Sequence, residues 1–181
     1  MPHQAEIIAV GTELLLGNIA NTNAQFLSQL LASAGVNVLY HTAVGDNPQR
    51  LRAAVETARS RCDLLVFTGG LGPTYDDMTK ETVAGVFGLA LEYHPEVMEE
   101  IQQYFDRVFH RPMPACNRQQ AMLPQGCTVF DNPVGTAPGC AFEAEGVHVL
   151  MLPGPPFEMR TMLQNWAVPY LRGLSKEGIV S

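Results

Sequence analysis

Basic residues are scarce in this sequence, and their scarcity narrows the functions open to it. Among 181 residues there are 11 Lys and Arg against 18 Asp and Glu, which gives a formal net charge of −7. The few basic residues are scattered, whereas a nucleic-acid-binding surface shows clustered Lys and Arg. We therefore expect no nucleic-acid partner. An anionic ligand must instead be held locally, by backbone N–H groups, a few cations or a metal ion.

Long apolar runs and paired cysteines are also missing. No run approaches the ~20 apolar residues of a membrane span, and the N-terminal MPHQAEIIAV lacks the basic segment of a signal peptide. We expect a cytoplasmic protein with no membrane partner. Cys62, Cys116, Cys127 and Cys140 stand far apart without a C-x-x-C pair, which predicts small buried side chains rather than zinc ligands.

Several catalytic and nucleotide-binding signatures are absent as well. There is no G-x-S-x-G elbow, and no two histidines have metal-ligand spacing. Neither the phosphate-binding pattern G-x-x-x-x-G-K-[ST] nor the dinucleotide fingerprint G-x-G-x-x-G occurs. Serine or cysteine hydrolysis and a catalytic histidine are therefore disfavoured.

Short apolar runs alternate with amphipathic segments along most of the chain. Runs at 6–10, 36–40 and 64–68 predict strands, and helices are predicted to begin at Asn21 or Thr22, at Pro48, and over 79–86 and 96–109. Asp46 or Asn47 would cap the helix that starts at Pro48. This β-α-β order predicts one domain with a parallel sheet covered by helices on both faces.

The last third of the chain has a different pattern. Short strands are predicted at 127–130, 139–142 and 147–152, with a hairpin turn over 143–146 joining the last two. A final helix is predicted over 157–171.

Five glycine-containing loops follow the predicted strands. They are GTELLLGN at 11–18, VGDN at 44–47, TGGLGPTYDD at 68–77, NPVGTAPG at 132–139 and LPGPPFE at 152–158. Ligands of open parallel sheets bind in the crevice beyond the carboxyl ends of the strands. If the strands are parallel, these loops form one rim.

The TGG of residues 68–70 leaves backbone without Cβ atoms close to a helix start. Successive N–H groups there can form an anion-binding nest, helped by the positive end of the following helix dipole. On this hypothesis Gly70→Val weakens ligand binding while the fold survives. The alternative is a tight turn that binds nothing.

Asp76 and Asp77 follow this loop closely, and carboxylates repel phosphate oxygens unless a cation lies between them. Mg²⁺ bound by one or two carboxylates and by substrate phosphates resolves the conflict. The alternative is that one of the two caps the helix at Thr79. Glu13 has two equal interpretations, a residue of the rim or a turn cap. Asn18, Asn21 and Asn23 are candidates for holding a ribose or a base edge, or for helix capping.

Five motifs in order resemble one known family. IAVGTELLLGNIANTNAQFLSQLL, AVGDN, TGGLGPTYDDMTKETVA, NPVGTAPG and LPGPPFEM are similar to the N-terminal domain of the competence-damage-inducible CinA proteins, over residues 5–171. The resemblance implies the molybdopterin-binding superfamily typified by MogA and MoaB, whose fold is a three-layer α/β/α sandwich with a mostly parallel sheet. CinA proteins continue with a domain that deamidates nicotinamide mononucleotide. Since this chain ends at Ser181, we expect a single domain over 1–181.

The resemblance also singles out site residues. The family's glycine-rich loop and the aspartate after it fall on 69–72 and Asp77, and a second aspartate falls on Asp46. We take Asp77 and Asp46 as catalytic candidates, and Asp77 with Asp76 as metal ligands. The ligand-binding candidates are Gly11, Glu13, Asn23, Thr68, Gly69, Gly70, Gly72, Pro153, Gly154 and Pro155.

In CinA proteins this domain is associated with metal-dependent hydrolysis of ADP-ribose to AMP and ribose 5-phosphate. The resemblance implies that activity here, with Mg²⁺ or Co²⁺ as cofactor, K⁺ as a further candidate cation, ADP-ribose as the small-molecule partner and a homo-oligomeric state. Two alternatives stay open. One is a molybdopterin-type ligand-binding or adenylyl-transferring protein, and the other is a nucleotide-binding module without turnover.

Overall fold

A mixed six-stranded sheet forms the centre of the molecule. The computed structural model describes residues 2–17 and 21–180, with side chains as far as residue 174. The strands of the described residues are β1 (Gln4–Val10), β2 (Asn37–Val44), β3 (Leu64–Thr68), β4 (Leu91–Tyr93), β5 (Met122–Pro124), β6 (Thr128–Phe130), β7 (Gly139–Ala144) and β8 (Val147–Leu152). β4 and β5 form a separate pair, and the other strands form the central sheet. The sheet order is β2-β1-β3-β8-β7-β6. The first four of these strands are parallel, and β7 is antiparallel to both neighbours. The carboxyl ends of four adjacent strands therefore share one edge.

Helices cover both faces of the sheet. They are α1 (Thr12–Leu15), α2 (Thr22–Ser33), α3 (Pro48–Arg59), α4 (Thr79–Val86), α5 (Pro95–Tyr104), α6 (Pro156–Met162) and α7 (Val168–Val180). Alternate strand residues point to opposite faces. Ile8 and its neighbours pack with α3, α4 and α5, while Ile7 and its neighbours pack with α2, α6 and α7. The three-layer α/β/α sandwich is confirmed, with one buried core on each face of the sheet.

Two asparagines settle where the first long helices begin. Asn21 accepts the backbone N–H of Ala24 at 3.4 Å and caps α2, and Gly35 follows that helix with φ of 81°. Asn47 accepts the N–H of Arg50 at 2.9 Å, so Asn47 rather than Asp46 caps α3. Asp46 is thereby left for another role.

Several predicted elements need correction. β2 runs to Val44 instead of ending at residue 40, and α5 ends at Tyr104 before a π-helical turn, Phe105–Phe109. Val108, expected to face inward, is 45% exposed because it lies in that turn. The final helix is interrupted by a second π-helical turn, Leu163–Ala167.

Other elements were not predicted at all. The short helix α1, the antiparallel pair β4–β5 and a 3-10 segment at Ala115–Ala121 have no clear sequence signal. Cys116 is exposed, contrary to the expectation of buried cysteines, whereas Cys62 and Cys140 are buried. The hairpin turn is confirmed, with positive φ at Glu145 (53°) and Gly146 (79°), as a two-residue turn of the I′ type requires. Within the described ranges, no helix is long and apolar enough to cross a bilayer.

Candidate functional site

One cavity of about 660 Å³ lies at the carboxyl edge of the parallel strands. Residues from all five glycine-containing loops line it, which is what the rim hypothesis predicts. Asn18 lies outside the described residues. The structure brings to this cavity every site candidate selected from the sequence: Gly11, Glu13, Asn23, Asp46, Thr68, Gly69, Gly70, Gly72, Asp76, Asp77, Pro153, Gly154 and Pro155.

Two glycines make the turn after β3 possible. Gly69 and Gly70 have φ of 91° and 71°, in the left-handed region that side chains disfavour. A Cβ on Gly69 would run into the carbonyl oxygen of Val10, and one on Gly70 into the hydroxyl of Thr79. Gly70→Val therefore strains the turn whether or not a ligand binds, and the survival of its fold stays a prediction.

The N–H donors of this turn differ from those expected. The Gly69 N–H donates to the Leu152 carbonyl at 3.1 Å, which extends the pairing of β3 with β8. It is not available to an anion. The N–H groups of Gly70, Leu71 and Gly72 have no acceptor among residues 2–17 and 21–180. The candidate anion nest therefore begins one residue later than predicted. The part of this loop that lines the cavity ends at Asp77, before α4 starts.

A glutamine from the 3-10 segment braces the loop after β3. Gln119 Nε2 lies 3.3 Å from the Gly72 carbonyl oxygen and 2.9 Å from those of Thr74 and Asp77. One side-chain amide thus gathers three carbonyls of the loop. Nothing in the local sequence pointed to Gln119, because it contacts residues more than 40 positions earlier.

Lys80 supports that brace from the buried side. Its Nζ donates to the carbonyls of Gln119 and Gln120 at 3.1 and 3.3 Å. The Gln120 amide in turn donates to the Leu71 carbonyl at 3.4 Å. Burial lowers the pKa of Lys80 to about 8. Lys80 does not line the cavity.

Asp77 holds its own loop in shape. Its Oδ2 accepts the backbone N–H of Thr74 at 3.0 Å and the Thr74 hydroxyl at 2.7 Å. A Cβ on Gly72 would come within 2.5 Å of the same oxygen, so a side chain there would displace the Asp77 carboxylate. Helix α4 begins after Met78 with no side-chain cap. The capping alternative for Asp76 and Asp77 is therefore wrong.

Asp46 joins two neighbouring strand ends. Its Oδ2 accepts the Thr12 N–H at 3.3 Å, and its own N–H donates to the Thr12 hydroxyl at 3.1 Å. This reciprocal pair ties the end of β2 to the start of α1. Glu13 turns back over Gly11, where a Cβ would meet Glu13 Oε1 at 2.6 Å. Both carboxylates are exposed and face the cavity.

Asn23 links the first turn of α2 to the loop after β8. Its Nδ2 donates to the Gly154 carbonyl at 2.7 Å, which fixes the orientation of the amide. Its Oδ1 is buried and has no hydrogen-bond donor among the described residues. Gly154 in turn lies against Gly69, since a Cβ on Gly154 would be 3.3 Å from the Gly69 Cα. The first turn of α2 and the loops after β3 and β8 therefore meet at this wall of the cavity.

The charged side chains of the cavity are all of one sign. Among the lining residues that the structure describes, none is Lys, Arg or His. The carboxylates are Glu13, Asp46, Asp76, Asp77 and Glu158. No three His, Cys, Asp or Glu side chains in the described ranges form a complete metal site by themselves. Any cation here must therefore complete its coordination with water or ligand oxygens.

Glu158 is the one carboxylate of this wall that was not selected from the sequence. Asn132 Nδ2 donates to its Oε1 at 2.7 Å. A Cβ on Gly135 would collide with the same oxygen. Burial raises the pKa of Glu158, and the Asn132 hydrogen bond opposes that rise. Glu158 is the last residue of the LPGPPFE motif and lies in the first turn of α6. Its place in one of the five rim motifs was the sequence signal that could have identified it.

Comparison with known proteins places the fold in a defined class. The family described as "Probable molybdopterin binding domain" matches residues 6–173, and the chain belongs to that family. MoaB from Thermus thermophilus shares the fold, with a TM-score of 0.59 at 20% identity, covering 94% of this chain and 97% of that one.

More similar relatives are proteins of the CinA type. A competence-damage inducible protein of Acetivibrio thermocellus is 56% identical over 177 residues, which is 98% of this chain and 43% of that protein. CinA from Thermoplasma acidophilum has a TM-score of 0.81 at 36% identity, covering 90% of this chain and 95% of that one. The resemblance to the N-terminal domain of CinA proteins is confirmed. The chain spans less than half the length of the curated relative.

Proposed function

We propose that this domain hydrolyses the diphosphate of ADP-ribose to AMP and ribose 5-phosphate with a divalent cation, Mg²⁺ or Co²⁺. The observation that carries the proposal is the composition of the cavity. Three consecutive free N–H groups at 70–72 lie beside carboxylates, with no cationic side chain among the described lining residues. Such a site has donors for phosphate oxygens but repels phosphate unless a cation is bound with it.

The residues present suit a hard divalent cation. Carboxylate oxygens and substrate phosphates are the ligands that Mg²⁺ takes, with several waters retained. Asp76 is exposed and free of hydrogen bonds to the described residues, and Asp77 uses only Oδ2 within its loop. We assign the cation to Asp77 with Asp76, and K⁺ remains a further candidate. When bound, such a cation polarises the phosphoryl group and lowers the negative charge on it.

The remaining lining residues divide the cavity into two parts. The N–H groups of 70–72 bind the phosphate oxygens at the strand β3 side. Asn23 Oδ1 has no donor among the described residues. A ribose hydroxyl or an amino group supplies such a donor, whereas phosphate oxygens do not. Gly11, Glu13, Thr68 and the segment 153–155 complete the walls around the nucleoside. Asp46, at the end of β2, orients the attacking water.

The test is an ADP-ribose turnover assay with and without EDTA. The protein is incubated with ADP-ribose and Mg²⁺ or Co²⁺, and AMP release is followed. Release that needs the metal supports the proposal, and its absence with every metal tried overturns it. Gel filtration with light scattering in the same buffer tests the proposed homo-oligomer.

The description of the matching family favours a second candidate, binding of a molybdopterin-type ligand. Adenylyl transfer to such a ligand is the catalytic form of this candidate. A cavity of about 660 Å³ has the size of sites for small organic ligands. Calorimetric titrations with molybdopterin and with ADP-ribose separate the candidates by affinity. Binding of ADP-ribose without AMP release would instead identify a nucleotide-binding module without turnover.

A further inference from the structure

The hydrogen bonding of Glu158 in the cavity wall differs from that usual for a glutamate in the first turn of a helix. It is the third residue of α6, where a glutamate often bonds back to the N–H of the capping residue. The capping residue here is Pro155, which has no N–H. The carboxylate reaches across to the loop after β6 instead, where Asn132 donates to Oε1 at 2.7 Å.

That loop is shaped to receive the carboxylate. Asn132 is fixed by two further bonds, from its Nδ2 to the Ala137 carbonyl at 2.9 Å and from the Val134 N–H to its Oδ1 at 3.2 Å. Gly135 leaves the space that Glu158 Oε1 occupies. Asn132 is not a lining residue of the cavity, whereas Glu158 is. One oxygen is thus clamped by the loop, and Oε2 has no partner among the described residues.

No cation in the described structure offsets the charge of Glu158, and this distinguishes it from an ordinary ion-paired glutamate. Burial raises its pKa, and the hydrogen bond from Asn132 opposes that rise. A carboxylate poised above its usual pKa is a better proton acceptor near neutral pH than an ordinary one. The titratable groups close to it or to Asn132 in sequence are Arg160 on α6 and Asp131, and the other carboxylates that line the cavity are Glu13, Asp46, Asp76 and Asp77. Helix α2, which packs on α6, carries none.

We propose that Glu158 is the general base of the diphosphate hydrolysis, an assignment that rests on the proposed function. The water oxygen forms a bond to phosphorus while its proton passes to the Glu158 carboxylate. The bridging P–O bond breaks, and its electron pair leaves on the departing phosphate. Glu158 then releases the proton to solvent. The roles are thereby divided: Asp77 holds the cation, Asp46 orients the attacking water, and Glu158 takes the proton of that water.

The experiment compares Glu158→Gln with the unaltered protein. Gln keeps the size and still accepts the Asn132 hydrogen bond, so the Tm and the calorimetric affinity for ADP-ribose should stay nearly unchanged. The kcat should fall by 10²-fold or more, within the range of about 10²–10⁴ for a lost general base. The unaltered protein should lose kcat as Glu158 becomes protonated at acidic pH, and the variant should lack that limb. Glu99→Gln, an exposed glutamate on α5 away from the cavity, is the control and should behave like the unaltered protein.

Different failures identify different errors. If the unaltered protein releases no AMP, the proposed function fails and the base with it. If it turns over and Glu158→Gln retains kcat or the acidic limb, only the base assignment is overturned. A variant restored by raised Mg²⁺ would show Glu158 to be a cation ligand, which also overturns it. Should Glu158→Gln fold poorly, Glu158→Asp keeps the carboxyl group but draws it back by one methylene. Loss of kcat with retention of the acidic limb is then expected, and unchanged kcat would contradict the proposal.

Discussion

Asp77→Asn separates the charge of this side chain from its place in the loop. Asn presents an oxygen that still accepts the Thr74 N–H and hydroxyl, which the structure places 3.0 and 2.7 Å from Oδ2. Hydrogen bonds to a charged acceptor contribute about 1.5–3 kcal/mol each and neutral ones about 1 kcal/mol. Since Asp77 is partly exposed, solvent screening reduces that difference. We expect the free energy of unfolding to fall by about 1 kcal/mol, or 2–4 °C in Tm for a protein of this size.

The effect on the cation should be larger. A unit charge about 4 Å from a divalent ion contributes about 2 kcal/mol at the dielectric constant of water, and more in a partly desolvated cavity. Turnover at limiting Mg²⁺ should therefore fall by at least ~10²-fold, which corresponds to about 2.7 kcal/mol. Part of the loss should return at high Mg²⁺, because the defect is in affinity for the metal.

The assay is AMP release from ADP-ribose across a Mg²⁺ titration. Thr74→Val is the matched control, since it removes one hydrogen bond to Asp77 but keeps the carboxylate charge. It should lower the Tm about as much as Asp77→Asn while keeping the Mg²⁺ dependence of the unaltered protein. Near-normal turnover of Asp77→Asn at limiting Mg²⁺ would refute the reasoning and leave Asp77 as a residue that only shapes its loop.

Two further predictions concern residues around this site. Asp46→Asn should keep the hydrogen bond from the Thr12 N–H, so its Tm should match that of the unaltered protein. Its kcat should fall about tenfold, which corresponds to about 1.4 kcal/mol of transition-state stabilisation. Full activity would mean that Asp46 only joins β2 to α1. Lys80 has a folded-state pKa of about 8 against 10.5 unfolded, so the unfolded chain binds more protons between these values. The free energy of unfolding, relative to that of Lys80→Met, should therefore rise by up to about 3 kcal/mol from pH 7 to pH 10.5. Urea unfolding of both proteins across this range measures it. Parallel curves of unfolding free energy against pH would contradict the prediction.

The sheet and the position of the cavity could be predicted from local sequence. β3 and α4 have the predicted bounds because a short run buried on both faces and a helix after a glycine turn leave strong local patterns. The loops then follow from strand order, since the carboxyl ends of parallel strands share an edge. The antiparallel pair β4–β5 escaped because strands of three residues carry too little alternation to be recognised.

Details of the site depend on contacts between distant residues, and the sequence does not show them. The Gly69 N–H looked available for an anion, but β8, more than 80 residues later, takes it into the sheet. Gln119 and Lys80 brace the loop after β3 through equally remote contacts. Glu158 receives its hydrogen bond from Asn132, which is 26 positions earlier in the chain. Local patterns therefore locate the rim, whereas the partners that adjust each side chain come from elsewhere in the chain.

The uniformly negative charge of the cavity should also make the affinity for ADP-ribose depend on the metal ion. With carboxylates as the charged groups of the described lining and only backbone N–H groups as donors at 70–72, ADP-ribose brings its diphosphate into a negative site. Two unit charges about 5 Å apart repel by about 3 kcal/mol at an effective dielectric constant of 20. Calorimetry should therefore show ADP-ribose binding at least ~10²-fold weaker in EDTA than in Mg²⁺. Adenosine, which has no phosphate, should bind equally under both conditions. Equal affinity of ADP-ribose with and without metal would mean that the backbone donors alone overcome the carboxylates, and the cation would then have no part in holding the ligand.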